Sequence, residues 1–257
     1  MTRLTLNLCI FVFLILPVEV WSASLKLAYS DIESYPFQLG NGTDIAKPPG
    51  LALDVLNHVG KILNLDIEYV RLPGKRVLEE VSAGNVDGGF IFSYNTQRAQ
   101  YARYPMKEDK PDGTKRIATI GYYFYTLEGQ AVDWDGEHFA QSDYKIGAHL
   151  GYSIVKDLQN KQLKVHEVKT TEQLFSMLKL GRLPVIAVQD TMAQQFLSVQ
   201  GITNIEQVNP AIKTKDYFLV LSEQFLEANP QTAKDIWDQI EVVRDSITRQ
   251  AGPKYFN

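Results

Sequence analysis

The segment Ser93-Tyr94-Asn95-Thr96-Gln97-Arg98 follows a short apolar run, Gly88-Gly89-Phe90-Ile91-Phe92. A strand that ends in small polar residues, with an arginine shortly after it near a helix start, can hold a carboxylate. Arg98 offers a planar fork of donors that matches two carboxylate oxygens. The Ser93 hydroxyl and the free N–H groups of a helix start would add further hydrogen bonds. The chemistry expected here is capture of a small anionic or zwitterionic molecule.

Residues for other chemistry are sparse. The only cysteine, Cys9, lies in an apolar leader, so the mature chain has neither a disulfide nor a thiol nucleophile. The four histidines, His58, His138, His149 and His166, lack metal-ligand spacing. There is no G-x-S-x-G. No catalytic residue, cofactor or metal is therefore expected. Lysine and arginine number 26 against 30 aspartates and glutamates, a net charge of −4 without a basic stripe, which argues against nucleic acid as a partner.

These residues need a scaffold. Residues 1–22 read as a secretory signal peptide: a basic start at Arg3, an apolar run from Leu4 to Val18, and small residues Val20 and Ser22 before the cut. Cys9 follows Leu8 and sits too early for a lipoprotein site, so a soluble periplasmic protein is expected. The remainder alternates short apolar runs with amphipathic segments. Leu25–Tyr29, Ile67–Val70 and Phe90–Phe92 read as strands, and Leu51–Leu63 and Lys75–Ala83 as helices. The pattern then repeats. Tyr144–His149, Val165–Val168 and Val185–Val188 are strands. A helix opening at Gly151-Tyr152-Ser153, a helix over Thr171–Leu180 and one from Thr191 to Ser198 separate and follow them. Two extended stretches, Ile117–Tyr125 and Asp216–Leu221, are expected to cross between two lobes as hinges, and a long helix, about Thr232 to Gln250, to pack back on the first lobe. The expected fold class is α/β, with two mostly parallel sheets, flanking helices and two crossovers. Its first lobe is formed by residues 23–121 and 217–257 and its second by residues 122–216.

The order of several motifs is similar to that of extracytoplasmic solute-binding proteins of family 3, which bind polar amino acids and have the type II periplasmic-binding-protein fold. The motifs are Tyr35-Pro36-Phe37, Gly50-Leu51-Ala52-Leu53-Asp54, Ala83-Gly84-Asn85-Val86-Asp87, the arginine segment, Gly151-Tyr152-Ser153, and Gly181-Arg182 leading to Gln189-Asp190. The resemblance covers Leu25 to about Tyr255. It implies that Arg98 and Ser93 bind a ligand carboxylate, that Ser153 donates to it from the second lobe, and that Asp190 takes an ammonium group. Tyr35 or Phe37 would cover the ligand. Arg76, after Pro73-Gly74, is a second candidate anion contact. Two positions depart from the pattern: Asn95 stands where the family often has threonine, and Pro184 where an acidic residue usually follows Gly-Arg-x.

The function implied is capture of an amino acid or small carboxylate by a monomer that delivers it to an ABC permease in the membrane. Two alternatives stand beside it. One is a sensory or accessory binding protein with an altered site. The other is a lyase on the same scaffold, resembling cyclohexadienyl dehydratases, for which Asp190, Glu172 or His149 would supply the acid.

Overall fold

The structure is a computed structural model that describes residues 23–139 and 144–255. The expected signal peptide, with Cys9, lies outside the described residues.

The first half is built from βα units. β1 (Ala23–Ser30) pairs in parallel with β2 (Leu65–Leu72) and β3 (Gly88–Ser93). Helix α1 (Leu51–Leu63) joins β1 to β2 and has the bounds expected from its apolar spacing. It buries Leu53, Leu56 and Val59, then stops at Asn64, which adopts a left-handed conformation with φ 53°. Helix α2 (Gly74–Ala83) stops the same way at Gly84. The segment after Tyr104 forms a small hairpin, β4 (Met106–Lys107) with β5 (Lys110–Pro111).

β6 (Ala118–Leu127) leads into the second half. There, β7 (Lys145–His149), α3 (Ser153–Asn160), β8 (Lys164–Val168), α4 (Thr171–Lys179), β9 (Val185–Gln189) and α5 (Asp190–Val199) repeat the alternation. A capping box starts α4: the Thr170 side chain accepts from Gln173 N, while the Gln173 side chain reaches back to the backbone N–H of Thr170. Thr170→Ala should lower stability by about 1 kcal/mol, or about 2–4 °C in Tm, read by thermal denaturation. An unchanged Tm would show that the cap contributes nothing.

β10 (Ile205–Leu221) returns across the molecule, followed by α6 (Glu223–Ala228) and α7 (Pro230–Ala251), which packs against α1. Only the last six residues of β10 are read as extended from sequence. Its first part is polar and carries Asn209-Pro210, where its pairing with β6 shifts register between Val208 and Lys213. Among the described residues, the strand order β2-β1-β3-β10-β6-β9-β7-β8 makes one curled sheet. The two expected sheets are thus continuous, because β6 and β10 pair along most of their length.

One irregularity in β3 aims a functional side chain. Phe90 pairs with Leu219 and Phe92 with Phe218, leaving Ile91 as an extra residue with φ 60°. A β-branched residue in the left-handed region is costly, and its place here is a β-bulge. The bulge shifts the alternation of side chains by one. Phe90 packs in the core with Leu27, Tyr29 and Tyr217, whereas Phe92 packs on the other face with Ala28 and Val77. Ser93 is thereby returned to the face of its partner Tyr217.

Candidate ligand-binding site

Ser93 is the last residue of β3 and is buried. Arg98 opens a single 3-10 turn, held because Asn95 Oδ1 accepts from the Arg98 backbone N–H at 2.7 Å. Asn95 thus forms this turn through its own side chain. The half-buried Arg98 guanidinium donates from one nitrogen to Ser93 Oγ at 2.9 Å and to Ser93 O at 3.0 Å. It also lies over the Phe92 ring, 5.6 Å from the centroid. Among the described residues, no carboxylate forms an ion pair with it.

Ser153, the first residue of α3, approaches the same place from the second half. Its hydroxyl is 3.3 Å from the Tyr217 phenol, which is 2.9 Å from the Tyr122 phenol. Ser93 is also a side-chain hydrogen-bond partner of Tyr217. Burial pushes both phenols above their usual pKa, so they stay neutral and serve as donors and acceptors. The chain of hydrogen bonds continues on both sides. Gln189 Nε2 donates to Tyr122 at 3.0 Å, and Ser34 donates to Gln189 Oε1 at 2.7 Å. On the other side, Lys215 Nζ donates to Ser153 Oγ at 3.0 Å and pairs closely with Asp157 of α3.

Beside this network lies a cavity of about 300 Å³, bounded by Ser93, Tyr94 and Asn95 on one side, α3 on another and β10 beneath. Lys156, Lys213 and Lys215 line it. Lys215 is 11% exposed; burial lowers its pKa, with nearby Lys213 and Arg98 acting the same way and Asp157 opposing.

The fold thus brings together Ser93, Arg98 and Ser153, three of the residues singled out in the sequence; Ser93 and Ser153 line the cavity, and Arg98 stands behind Ser93. The others lie elsewhere. The Asp190 carboxylate rests against Gly121, where an added Cβ would be 3.3 Å from Oδ2. Gly121 and Tyr122 point to opposite faces of β6, so Asp190 lies across the sheet from the tyrosine pair. It accepts from Thr191 N at 2.7 Å, and burial raises its pKa. Tyr35 is buried, with its hydroxyl on the Tyr255 carbonyl, and Phe37 packs with Leu39 against Leu51 and Tyr255. Neither lines the cavity. Arg76 is 64% exposed and pairs with Glu80 one helical turn on. Of the residues named for acid catalysis, Asp190, Glu172 and His149 are all absent from the cavity wall.

Lys215 and Tyr217 do not stand out in the sequence as site residues, Gln189 stands out only as the neighbour of Asp190, and Tyr122 reads as packing within the aromatic run Tyr122–Tyr125. The polar-aromatic alternation Lys213, Lys215, Tyr217 was the available signal, since charged residues recurring at period two on a crossing strand mark a solvated or ligand-facing side.

Comparison with solved structures places this fold. The GluR0 ligand-binding core from Nostoc punctiforme, in complex with L-glutamate, matches with a TM-score of 0.69 and 16% identity over 90% of this chain and 99% of that one. The chain has the two-lobed type II periplasmic-binding-protein fold. An ancestral arginine-binding protein bound to glutamine matches this fold at TM-score 0.68 and 15% identity, covering 91% of this chain and 98% of that one. A histidine kinase sensor domain similar to periplasmic binding proteins matches at 0.68 and 11%, covering 92% and 97%. No protein-family model matches the sequence, and curated proteins give no match. Arg98, Ser93 and Ser153 join residues of the first and second halves of the chain in one hydrogen-bonded network. Among the described residues, no helix is long and apolar enough to cross a membrane.

Proposed function

We propose that the protein is an extracytoplasmic solute-binding protein that captures a small anionic or zwitterionic molecule, an amino acid or small carboxylate, without chemical conversion. The ligand would bind between a first lobe of residues 23–121 and 217–257 and a second lobe of residues 122–216. The observation that carries this reading is the convergence of Arg98, Ser93 and Ser153 on one buried hydrogen-bonded group beside a cavity. Arg98 lacks an acidic partner among the described residues, and a ligand carboxylate would supply one. Closure around the ligand excludes water and strengthens these charge-assisted bonds.

The partner that reads the closed form is an ABC permease in this proposal, with the binding protein acting as a monomer. A likeness to the substrate-binding protein of an amino acid ABC transporter supports it, at TM-score 0.65 and 14% identity. The likeness to a histidine kinase sensor domain supports a second reading, in which the closed form is reported to a membrane sensor.

Titration calorimetry and thermal shift against amino acids and small carboxylates test capture. A ligand at 100 times its Kd should add about 2.7 kcal/mol to stability. Arg98→Ala should weaken binding by about 10- to 100-fold, the worth of a charge-assisted hydrogen bond or two. Binding untouched by Arg98→Ala, or no binding by any compound, would remove the proposal.

A further inference from the structure

The charges around the cavity are unequal in how they are committed. Its wall holds two carboxylates, Asp157 and Asp216. Asp157 is engaged by Lys215 and by Lys213, the latter at 3.2 Å. Asp216 lies 3.6 Å from Arg116 and accepts from Thr119 Oγ1 at 2.7 Å. Neither is left to receive a cation from a ligand. On the positive side, Lys156 lines the cavity, and Arg98 stands behind Ser93; neither forms an ion pair among the described residues. Two lysines share Asp157, so that group also keeps an excess positive charge. Asp190, the acid expected to receive an ammonium group, is on the far face of β6.

We infer that the preferred ligand is a small dianion without an ammonium group: one carboxylate at Ser93 and Ser153, with Arg98 behind Ser93 and Lys215 beside Ser153, and a second anionic group on the Lys156 side of the cavity. This inference rests on the capture reading above and narrows its ligand class. The site supplies cations at both ends and an uncommitted acid at neither. A zwitterion placed here would desolvate its ammonium group opposite lysines, a like-charge cost that an ammonium-free dianion escapes. The dianion would also relieve the mutual repulsion of Lys213, Lys215 and Arg98, which together with burial lowers the Lys215 pKa. The cavity, about 300 Å³, has room for a dicarboxylate of a few carbons.

The test compares linear dicarboxylates from malonate to adipate with glutamate and with monocarboxylates of the same chain lengths, by calorimetry on the mature protein. Glutamate is the decisive control, because it is glutarate with an ammonium group added. The best dicarboxylate is expected to bind at least tenfold more tightly than glutamate. Lys156→Gln, an exposed change that should not disturb folding, is expected to reduce the ratio of dicarboxylate to monocarboxylate affinity about tenfold. Glutamate binding as tightly as the best dicarboxylate, or tighter, overturns this inference and leaves capture standing. A dicarboxylate preference that survives Lys156→Gln unchanged overturns the assignment of the second anionic subsite. No binding by any of these compounds or by amino acids overturns capture itself.

Discussion

Arg71→Met is expected to lower the unfolding free energy by about 3–4 kcal/mol, a larger loss than any side chain of the loop between β1 and α1 should show. Arg71 leaves β2 beneath that loop and is 3% exposed. Its guanidinium makes no carboxylate pair among the described residues. It donates instead to backbone carbonyls: Leu39 at 3.1 Å, Asp44 at 2.8 Å, Ser30 at 3.3 and 3.4 Å, and Gly40. It also lies over the Tyr29 ring, 5.1 Å from the centroid. A planar fork of five donors suits this task, and methionine fills part of the space while supplying none. The carbonyls it leaves would have to hydrate, and hydration requires the loop to lift. The consequence reaches the site because this loop carries contacts to the second half. Tyr152 donates to Glu33 O at 3.2 Å, Thr191 to Tyr35 O at 3.0 Å, and Ser34 to Gln189. Urea denaturation should show a lower midpoint, and hydrogen exchange should show the amides of residues 33–42 losing protection first. An unchanged midpoint would mean that the carbonyls find other partners at no cost.

Arg71 and Arg76 show why a sequence exposes some of this architecture and hides the rest. Both arginines lie near the same turn, and Pro73-Gly74 draws attention to Arg76. Burial decides between them, and burial depends on a loop folding back over β2, which no local pattern records. Helix α1 was legible to the residue because its apolar spacing and its Asn64 stop are local. The meeting of Arg98 with Ser93 is legible because a strand tip and a following arginine are neighbours in the chain. Asp190 was misplaced relative to the cavity for a different reason. Its position at the end of β9 is as expected, but the side of the sheet it faces depends on the local turn into α5. β10 was read short because Lys213, Lys215 and Pro210 look like loop residues when taken alone. The two lysines line the cavity that the strand passes. The bulge at Ile91 was invisible, since isoleucine is a poor residue for φ 60°. Without that bulge Ser93 would face away from Tyr217, so the site depends on a feature that local propensity argues against.

Acid should weaken the protein through His149 by about 3 kcal/mol between pH 6.5 and pH 4. His149 ends β7 and is 1% exposed. Its ring stacks on Tyr152 at 4.7 Å, and Nε2 is 3.1 Å from Thr171 Oγ1. Burial alone lowers its pKa from 6.5 to about 4, with no acidic group near enough to hold the charged form. In the unfolded chain the ring titrates near its ordinary value. Between the two values the unfolded state binds the extra proton, so stability rises with pH across this window. It is fully present above pH 6.5, is lost as pH falls toward 4, and does not change further below that. Asp190 acts in the opposite sense, since burial raises its pKa and the folded state holds its proton longer. Its contribution begins above its ordinary value of 3.8 and is common to the native protein and to a histidine variant, so the difference between the two isolates the histidine. His149→Gln keeps a donor for Thr171 and removes the titration. Urea midpoints measured at several pH values should therefore fall on acidification more steeply in the native protein than in the variant. Parallel pH profiles would show that the ring is protonated, or hydrated, in the folded state. The effect has a route to the site: Tyr152, against which the ring stacks, also bonds Glu33 O and directly precedes Ser153. A ring that gains a charge there must leave its apolar seat, and the start of α3 that presents Ser153 would move with it.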